Sequence, residues 1–286
     1  MPELPEVETI RHDLEKMIEG KKIAQVEVLT KSIVEPNNFS KIVVGKKIIT
    51  VSRRAKLLML KLSDNWQLLI HLKMTGQLIY RLGRGEVAAV GGHPIALGLQ
   101  VLPNKFTRAV FTLNDQSKLF FNDIRKFGCL KAVRNSVAEK IKIQYGIEPL
   151  TKEFTLKNFS KVLTRRPKMK VKQFLLAQEL IAGLGNIYSD EACFYAGVKP
   201  TRTTSSLHPV EIKKLFSAIS QVLKKSLKYR GTSSENYVDA SGRSGGFVPH
   251  LMVYGRAGEK CKKCDKNLIK IKLGGRTSVY CPHCQK

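Results

Sequence analysis

The chain opens Met1-Pro2-Glu3, and a second carboxylate, Glu6, follows at helical spacing. Aminopeptidases usually trim Met before Pro, which leaves Pro2 with a free secondary amine. A terminal α-amine has an ordinary pKa of about 8, well below that of lysine, so more of it is neutral and nucleophilic at neutral pH. A secondary amine condenses with an aldehydic carbon to a cationic iminium, an electron sink that favours elimination. A helix beginning here lowers the amine pKa through its dipole, while Glu3 and Glu6 raise it. Met-Pro starts are common, however, and composition alone gives Pro2 no catalytic role.

Two Cys-x-x-Cys knuckles, Cys261/Cys264 and Cys281/Cys284, offer four thiolates for a tetrahedral Zn²⁺. The stretches 269–273 and 277–280 alternate between them, with Gly274-Gly275 at the turn. That pattern is a β-hairpin too small for its own core, closed by metal. The alternatives are a redox pair or a chance grouping. Four thiolates leave no open coordination position, so a zinc here is structural. Arg276 stands just past the turn, where a guanidinium reaches a phosphate or stays solvated at the surface. Gly183-Leu184-Gly185-Asn186 joins two helical stretches. It reads either as a tight turn or as a phosphate seat at a helix N-terminus, with Asn186 as the N-cap.

The elements around these residues divide along the chain. Val7, Ile10, Leu14 and Ile18 predict an N-terminal amphipathic helix ended at Gly20. From residue 22 the period changes to two, with strands predicted over 22–30, 47–62, 66–72, 77–82, 109–113, 118–123 and 129–133. So many short strands in one run predict a sandwich or barrel. Residues 83–104 fit no strand and read as a flexible, Gly-rich insertion. After 135 the pattern turns helical, with helices expected from 171, over 187–196 and over 209–229, and a polar, Gly-rich loop over 231–250. The expected domains are 1–135, a β-sandwich with its N-terminal helix; 136–246, helical; and 247–286, the zinc module. The class is α+β.

The 286 residues carry 50 Lys and Arg against 23 Asp and Glu, a net charge of +27. Such an excess on a folded chain points to a polyanion partner, a ribosome-associated role, or mere solubility. Hydrophobic residues make up 43%, enough for real cores, so wholesale disorder is excluded. No apolar run reaches membrane-spanning length, and the acidic, proline-broken start is unlike a signal peptide, which places the chain in the cytoplasm, at the nucleoid.

The opening MPELPEVET, RRAKLLML (53–60), HLKMTGQL (71–78), GLGNIYSDEA (183–192) and the four-cysteine hairpin occur together, in order, over nearly the whole chain. This set resembles the formamidopyrimidine-DNA glycosylase family; the related endonuclease VIII group typically begins PEGPE. The resemblance implies a bifunctional glycosylase and abasic-site lyase. It would remove oxidised purines, 8-oxoguanine and formamidopyrimidines, from double-stranded DNA in base excision repair, acting as a monomer with DNA in a cleft between its domains. It implies Pro2 as nucleophile at C1′, Glu3 as acid and base on the sugar, and Glu6 positioning the reacting end. Lys56 would assist elimination and hold phosphate, and Arg276 would grip phosphate and act in the later elimination.

Met74, Arg125 and Phe127 match the side chains that, in this family, fill the space of an everted base and bear on the orphaned cytosine. Asn186, Lys172 and His71 match backbone-phosphate contacts, and 231–250 matches the segment that folds over the extruded base. Two departures stand out. Ile124 replaces the proline of the family's D-P-R-R-F-G, and Phe106 and Arg108 replace the histidines of K-H-x-H. Both lie away from the reacting end. The rival readings are an endonuclease VIII-like enzyme for oxidised pyrimidines and a non-catalytic zinc-ribbon DNA-binding protein.

Overall fold

A computed structural model describes residues 1–92, 101–232 and 245–286. The chain folds as two compact units, 1–143 with 229–246, and 144–228 with 247–286. The first is a sandwich of two five-stranded sheets. One sheet runs β1-β8-β9-β6-β7, formed by Ile23–Val28, Thr107–Leu113, Lys118–Asp123, Gly76–Arg81 and Val87–Gly92. The other runs β2-β10-β5-β4-β3, formed by Val34–Glu35, Cys129–Arg134, Trp66–His71, Leu57–Leu62 and Ile48–Arg54. Only the β10–β2 pairing is parallel among the described strands.

Alternation sets the core. Leu78 and Tyr80 of β6, Phe111 of β8 and Phe121 of β9 meet Leu58, Leu60, Leu68, Ile70 and Leu130 from the opposite sheet. Helix α1, Leu4–Ile18, packs against β3 and β7, the edge strands, and so closes one side of the sandwich. Its Val7, Ile10, Leu14 and Ile18 are all buried there, each worth about 1.5–3 kcal/mol of transfer free energy. Two short helices complete this unit, α2 at Phe39–Val43 and α3 at Asn135–Ile143.

Two expectations need correction. The predicted strand 47–62 is a hairpin, β3 and β4, broken at Ala55-Lys56, where Ala55 takes φ +54°. The predicted insertion 83–104 contains β7, paired in register with β6. Its glycines serve close approach: a Cβ on Gly91 would lie 2.5 Å from Cγ1 of Ile10 in α1. Of the remainder, 93–100 lies outside the described residues, and Leu102 packs on Ile79, Val110 and Phe120 across the outer sheet face.

The second unit holds α4 (Leu156–Thr164), α5 (Val171–Leu176), α6 (Asn186–Ala196) and α7 (Pro209–Lys228) with the hairpin β11 (Ile269–Leu273) and β12 (Arg276–Tyr280). Helix α6 is buried on nearly every side, packed on α5, α7 and β12, and ends at Gly197 with φ +73°. Phe154, Phe159, Phe174 and Phe216 form one aromatic cluster that joins α4, α5 and α7. No helix among the described residues is long and apolar enough to cross a membrane.

Candidate active site and metal centre

Glu3 caps α1, with Pro at the first turn, so the chain enters the helix with two carboxylates at its positive end. Glu6 reaches back, its Oε2 accepting from Glu3 N at 2.9 Å, while its Oε1 accepts from Thr232 N at 2.8 Å. Pro2, Glu3 and Glu6 are all buried. Glu6 therefore joins the N-terminal end to the segment at which 233–244 begins. Most of the expected loop 231–250 falls on those residues, outside the described ones. Thr232 bridges Gly246 across its two feet.

Lys56 sits in the β3–β4 turn and is 5% exposed. Arg53 fastens this turn: its Nη1 donates to Ala55 O at 2.7 Å and its Nε to Glu8 Oε2 of α1 at 2.8 Å. The sheet register sets Leu57 opposite His71, which brings His71 beside the Lys56 turn. Burial first, then Lys73 and Lys56, pull the His71 pKa down to about 3, so the ring is neutral. Its Nδ1 accepts from Lys73 N at 3.0 Å, which leaves Nε2–H as a donor.

The β5–β6 and β9–β10 connections lie side by side on one rim, through Gly76–Asp123 and His71–Cys129 pairing. Half-buried Met74 is on the first and exposed Arg125 and Phe127 on the second. The Arg125 guanidinium stacks 4.5 Å from the Phe127 ring. Fully buried Asp123 organises this rim. Its Oδ1 accepts from Arg125 N at 3.1 Å and from Thr75 Oγ1, and its Oδ2 from Gly128 N at 2.7 Å. Asp123 and Thr75 lie within the quoted motifs, but their role was missed because it consists of tertiary hydrogen bonds.

In the second unit Gly185, with extended backbone, is the N-cap of α6, and Asn186 is its first helical residue, a correction to the expected cap. The Asn186 Oδ1 is buried without a hydrogen-bond partner among the described groups. Gln178, expected to continue the helix from 171 but lying past the end of α5, staples the glycine turn by donating to Leu184 O at 2.8 Å and accepting from Gly183 N at 2.9 Å. Lys172 is also corrected. Expected at phosphate, it is fully buried, with Nζ 2.7 Å from Asp190 Oδ1 and 2.9 Å from Thr277 O. Burial raises the Asp190 carboxyl, while Lys172, Ser278 Oγ at 2.5 Å and Val279 N at 3.1 Å favour its charged form. This buried group ties α5 and α6 to β12, whose first residue is the exposed Arg276. Gly274 and Gly275, φ +57° and +74°, make the two-residue turn before it.

The sulfur atoms of Cys261, Cys264, Cys281 and Cys284 all lie within 4.8 Å of one another. Tetrahedral zinc–thiolate bonds of about 2.3 Å require sulfur separations of about 3.8 Å, and the pairs at 3.4 and 4.0 Å bracket that value. Desolvation and the three neighbouring sulfurs push the Cys284 thiol up, a repulsion that a divalent cation reverses. The Lys263 and Cys284 amides point at Cys261 and Cys281 sulfur, as zinc knuckles require. The set fits one structural zinc.

Three family descriptions match the chain in turn: formamidopyrimidine-DNA glycosylase N-terminal domain over 1–130, formamidopyrimidine-DNA glycosylase H2TH domain over 145–238, and zinc finger found in FPG and IleRS over 258–286. The formamidopyrimidine-DNA glycosylase of Pelotomaculum thermopropionicum is 38% identical over 291 residues, covering 100% of this chain and 99% of that one. Among solved structures, a Lactococcus lactis FPG mutant bound to Fapy-dG containing DNA superimposes with a TM-score of 0.87 at 35% identity, covering 100% of both chains. The same enzyme with abasic-site DNA gives 0.86 at 35% identity, covering 99% of each. With identity spread over the whole length and all three parts matched in order, the chain belongs to the formamidopyrimidine-DNA glycosylase family.

Proposed function

We propose that this DNA glycosylase excises oxidised purines, 8-oxoguanine and formamidopyrimidines, from duplex DNA and then nicks the strand through a covalent intermediate on Pro2. The observation that carries the reading is the buried Glu3–Glu6 pair at the helix N-terminus, directly after Pro2. Duplex binding alone has no use for two enclosed carboxylates beside a terminal amine.

With Met1 removed, the Pro2 nitrogen attacks C1′ as the bond from C1′ to the damaged base breaks, and the base leaves with a proton. Glu3 protonates the ring oxygen O4′, opening the sugar to the iminium. Loss of a C2′ proton then expels the 3′ phosphate, and a second elimination expels the 5′ phosphate; hydrolysis frees Pro2. Lys56, beside neutral His71, supplies charge for phosphate and assists elimination. Arg276 holds phosphate from the hairpin, and Asn186 with the following amides binds backbone phosphate. Met74, Arg125 and Phe127 fill the space of the everted base. Lys172 acts indirectly, by holding the Arg276 strand. The zinc would be held by the four cysteines and supplies only rigidity to the hairpin.

In this division of work 1–135 supplies chemistry, 136–246 backbone binding and 247–286 the hairpin arginine, with 229–246 serving the reacting end. The protein acts as a monomer in the cytoplasm, on the nucleoid. Borohydride trapping on abasic duplex, with protein of verified Pro2 start, tests the mechanism; the crosslink is expected at Pro2. A sugar on any other side chain refutes it. Side-by-side excision of 8-oxoguanine and thymine glycol tests substrate class, the purine expected to be preferred.

A further inference from the structure

The loop 124–127 has no core of its own: Ile124 is 38% and Phe127 52% exposed, and Arg125 and Lys126 are exposed too. Its shape depends on Asp123, and Asp123 is gripped from the neighbouring stretch 105–108. The Asp123 amide donates to Phe106 O at 2.9 Å. Its carbonyl accepts from Arg108 Nε at 2.8 Å, and Arg108 Nη1 donates to Lys105 O at 3.2 Å. Arg108 is 8% exposed. Its own carbonyl accepts from Leu29 N at 2.8 Å and Thr30 N at 3.2 Å, which anchors it past the end of β1. A planar guanidinium presents donors in a fixed fork, so two carbonyls bracketed by it cannot drift apart. Removing the fork takes a buried donor from the Asp123 carbonyl and frees Lys105 from it.

We propose that Arg108 is a positioning residue for this loop: by clamping Asp123 and Lys105 it sets where Arg125 and Phe127 enter the duplex. The inference rests on the functional reading above, in which those two side chains fill the space of the everted base. Arg108 touches neither substrate nor reacting atoms. Its effect is confined to insertion and to sensing of the opposite base.

The test uses the full-length zinc-loaded protein as Arg108→Gln and Arg108→Lys, with zinc content and thermal midpoint measured for each. Three readouts separate the roles: stopped-flow fluorescence of 2-aminopurine beside the lesion, excision of 8-oxoguanine opposite C against opposite A, and borohydride trapping on single-stranded abasic DNA. For Arg108→Gln the fluorescence step slows about tenfold and the preference for C falls about fivefold, while single-strand trapping stays within about twofold of wild type. Arg108→Lys, which keeps the charge and loses the fork, falls between. Equal loss of all three, with or without a lowered midpoint, overturns the proposal, as does no change in any. Wild-type protein that neither excises nor traps would refute the functional reading itself, and the wild-type arm tells that failure from this one.

Discussion

Replacing Lys172 by Met separates two roles that a lysine in a strongly basic chain can have. Lys172 and Asp190 are 0% and 1% exposed in their side chains, at 2.7 Å. Truncating one member of a buried pair strands the other charge and costs about 3–5 kcal/mol. Here Asp190 keeps two donors, Ser278 Oγ and Val279 N. Lys172→Met should therefore fall near the lower end, about 3 kcal/mol. Adding Asp190→Asn removes the stranded charge, so the double variant should regain more than about 1 kcal/mol of it.

Urea unfolding in zinc-containing buffer measures both. In parallel, the salt dependence of binding to a duplex with an abasic analogue reports phosphate contacts, each contributing about 0.9 to the slope of log K against log salt. A buried Lys172 leaves that slope unchanged. Its loss should also slow strand nicking more than base release, because Arg276 heads the strand that Lys172 and Asp190 hold. Unchanged stability together with a shallower salt slope would refute the reasoning and return Lys172 to the duplex.

Glu6→Gln offers an amide nitrogen to one of the two amides that Glu6 now accepts, so a donor faces a donor; a loss of about 1–3 kcal/mol is expected, read as a lower thermal midpoint with slower excision. His71 has a folded pKa of about 3 against 6.5 for the free ring. The unfolded chain thus binds the extra proton, and stability falls as pH drops from about 6.5 towards 3, by at most about 1.4 kcal/mol per pH unit. His71→Asn should flatten that part of the pH profile in urea midpoints. Chelation, or Cys264→Ser, should release one equivalent of zinc and abolish strand nicking, measured by metal analysis and gel assay; full nicking by metal-free protein would contradict the assigned role of the hairpin.

Much of the fold was legible because periodicity reports burial directly. The stripe Val7, Ile10, Leu14, Ile18 became the buried face of α1, and the alternation around Gly274-Gly275 became β11 and β12. The failures have physical causes. The β3–β4 hairpin turns at Ala55-Lys56 without glycine, asparagine or proline, since Arg53 on Ala55 O stabilises a backbone that Ala seldom takes. Strand β7 looked like linker because Gly91 answers to Ile10, far earlier in the chain, and Gly92 to the backbone of Gly76 and Gln77 in β6. The four cysteines were visible, as spacing and residue type alone define a metal site. Lys172 was misplaced because its partner, Asp190, meets it only through tertiary packing.

The proposed chemistry sits beside strained turns. Ala55 precedes Lys56, Lys73 precedes Met74, and Lys126 lies between Arg125 and Phe127; all three take positive φ, at 54°, 50° and 57°. Each such residue costs about 1–2 kcal/mol against ordinary backbone. Each stands next to a group whose supporting hydrogen bonds the sequence did not show: the Arg53 guanidinium on Ala55 O, the His71 ring on Lys73 N, the Asp123 carboxylate on the amides of Arg125 and Gly128. Regular strand or helix would turn alternate side chains into the core or leave them free to rotate; a strained turn, held from behind, fixes the direction of one side chain. The reacting residues can be found from type and motif, whereas the groups that fix their direction are ordinary Arg, His and Asp whose function exists only after folding. Variants at Arg53, Asp123 and Arg108 should therefore reduce activity without any of the three touching DNA.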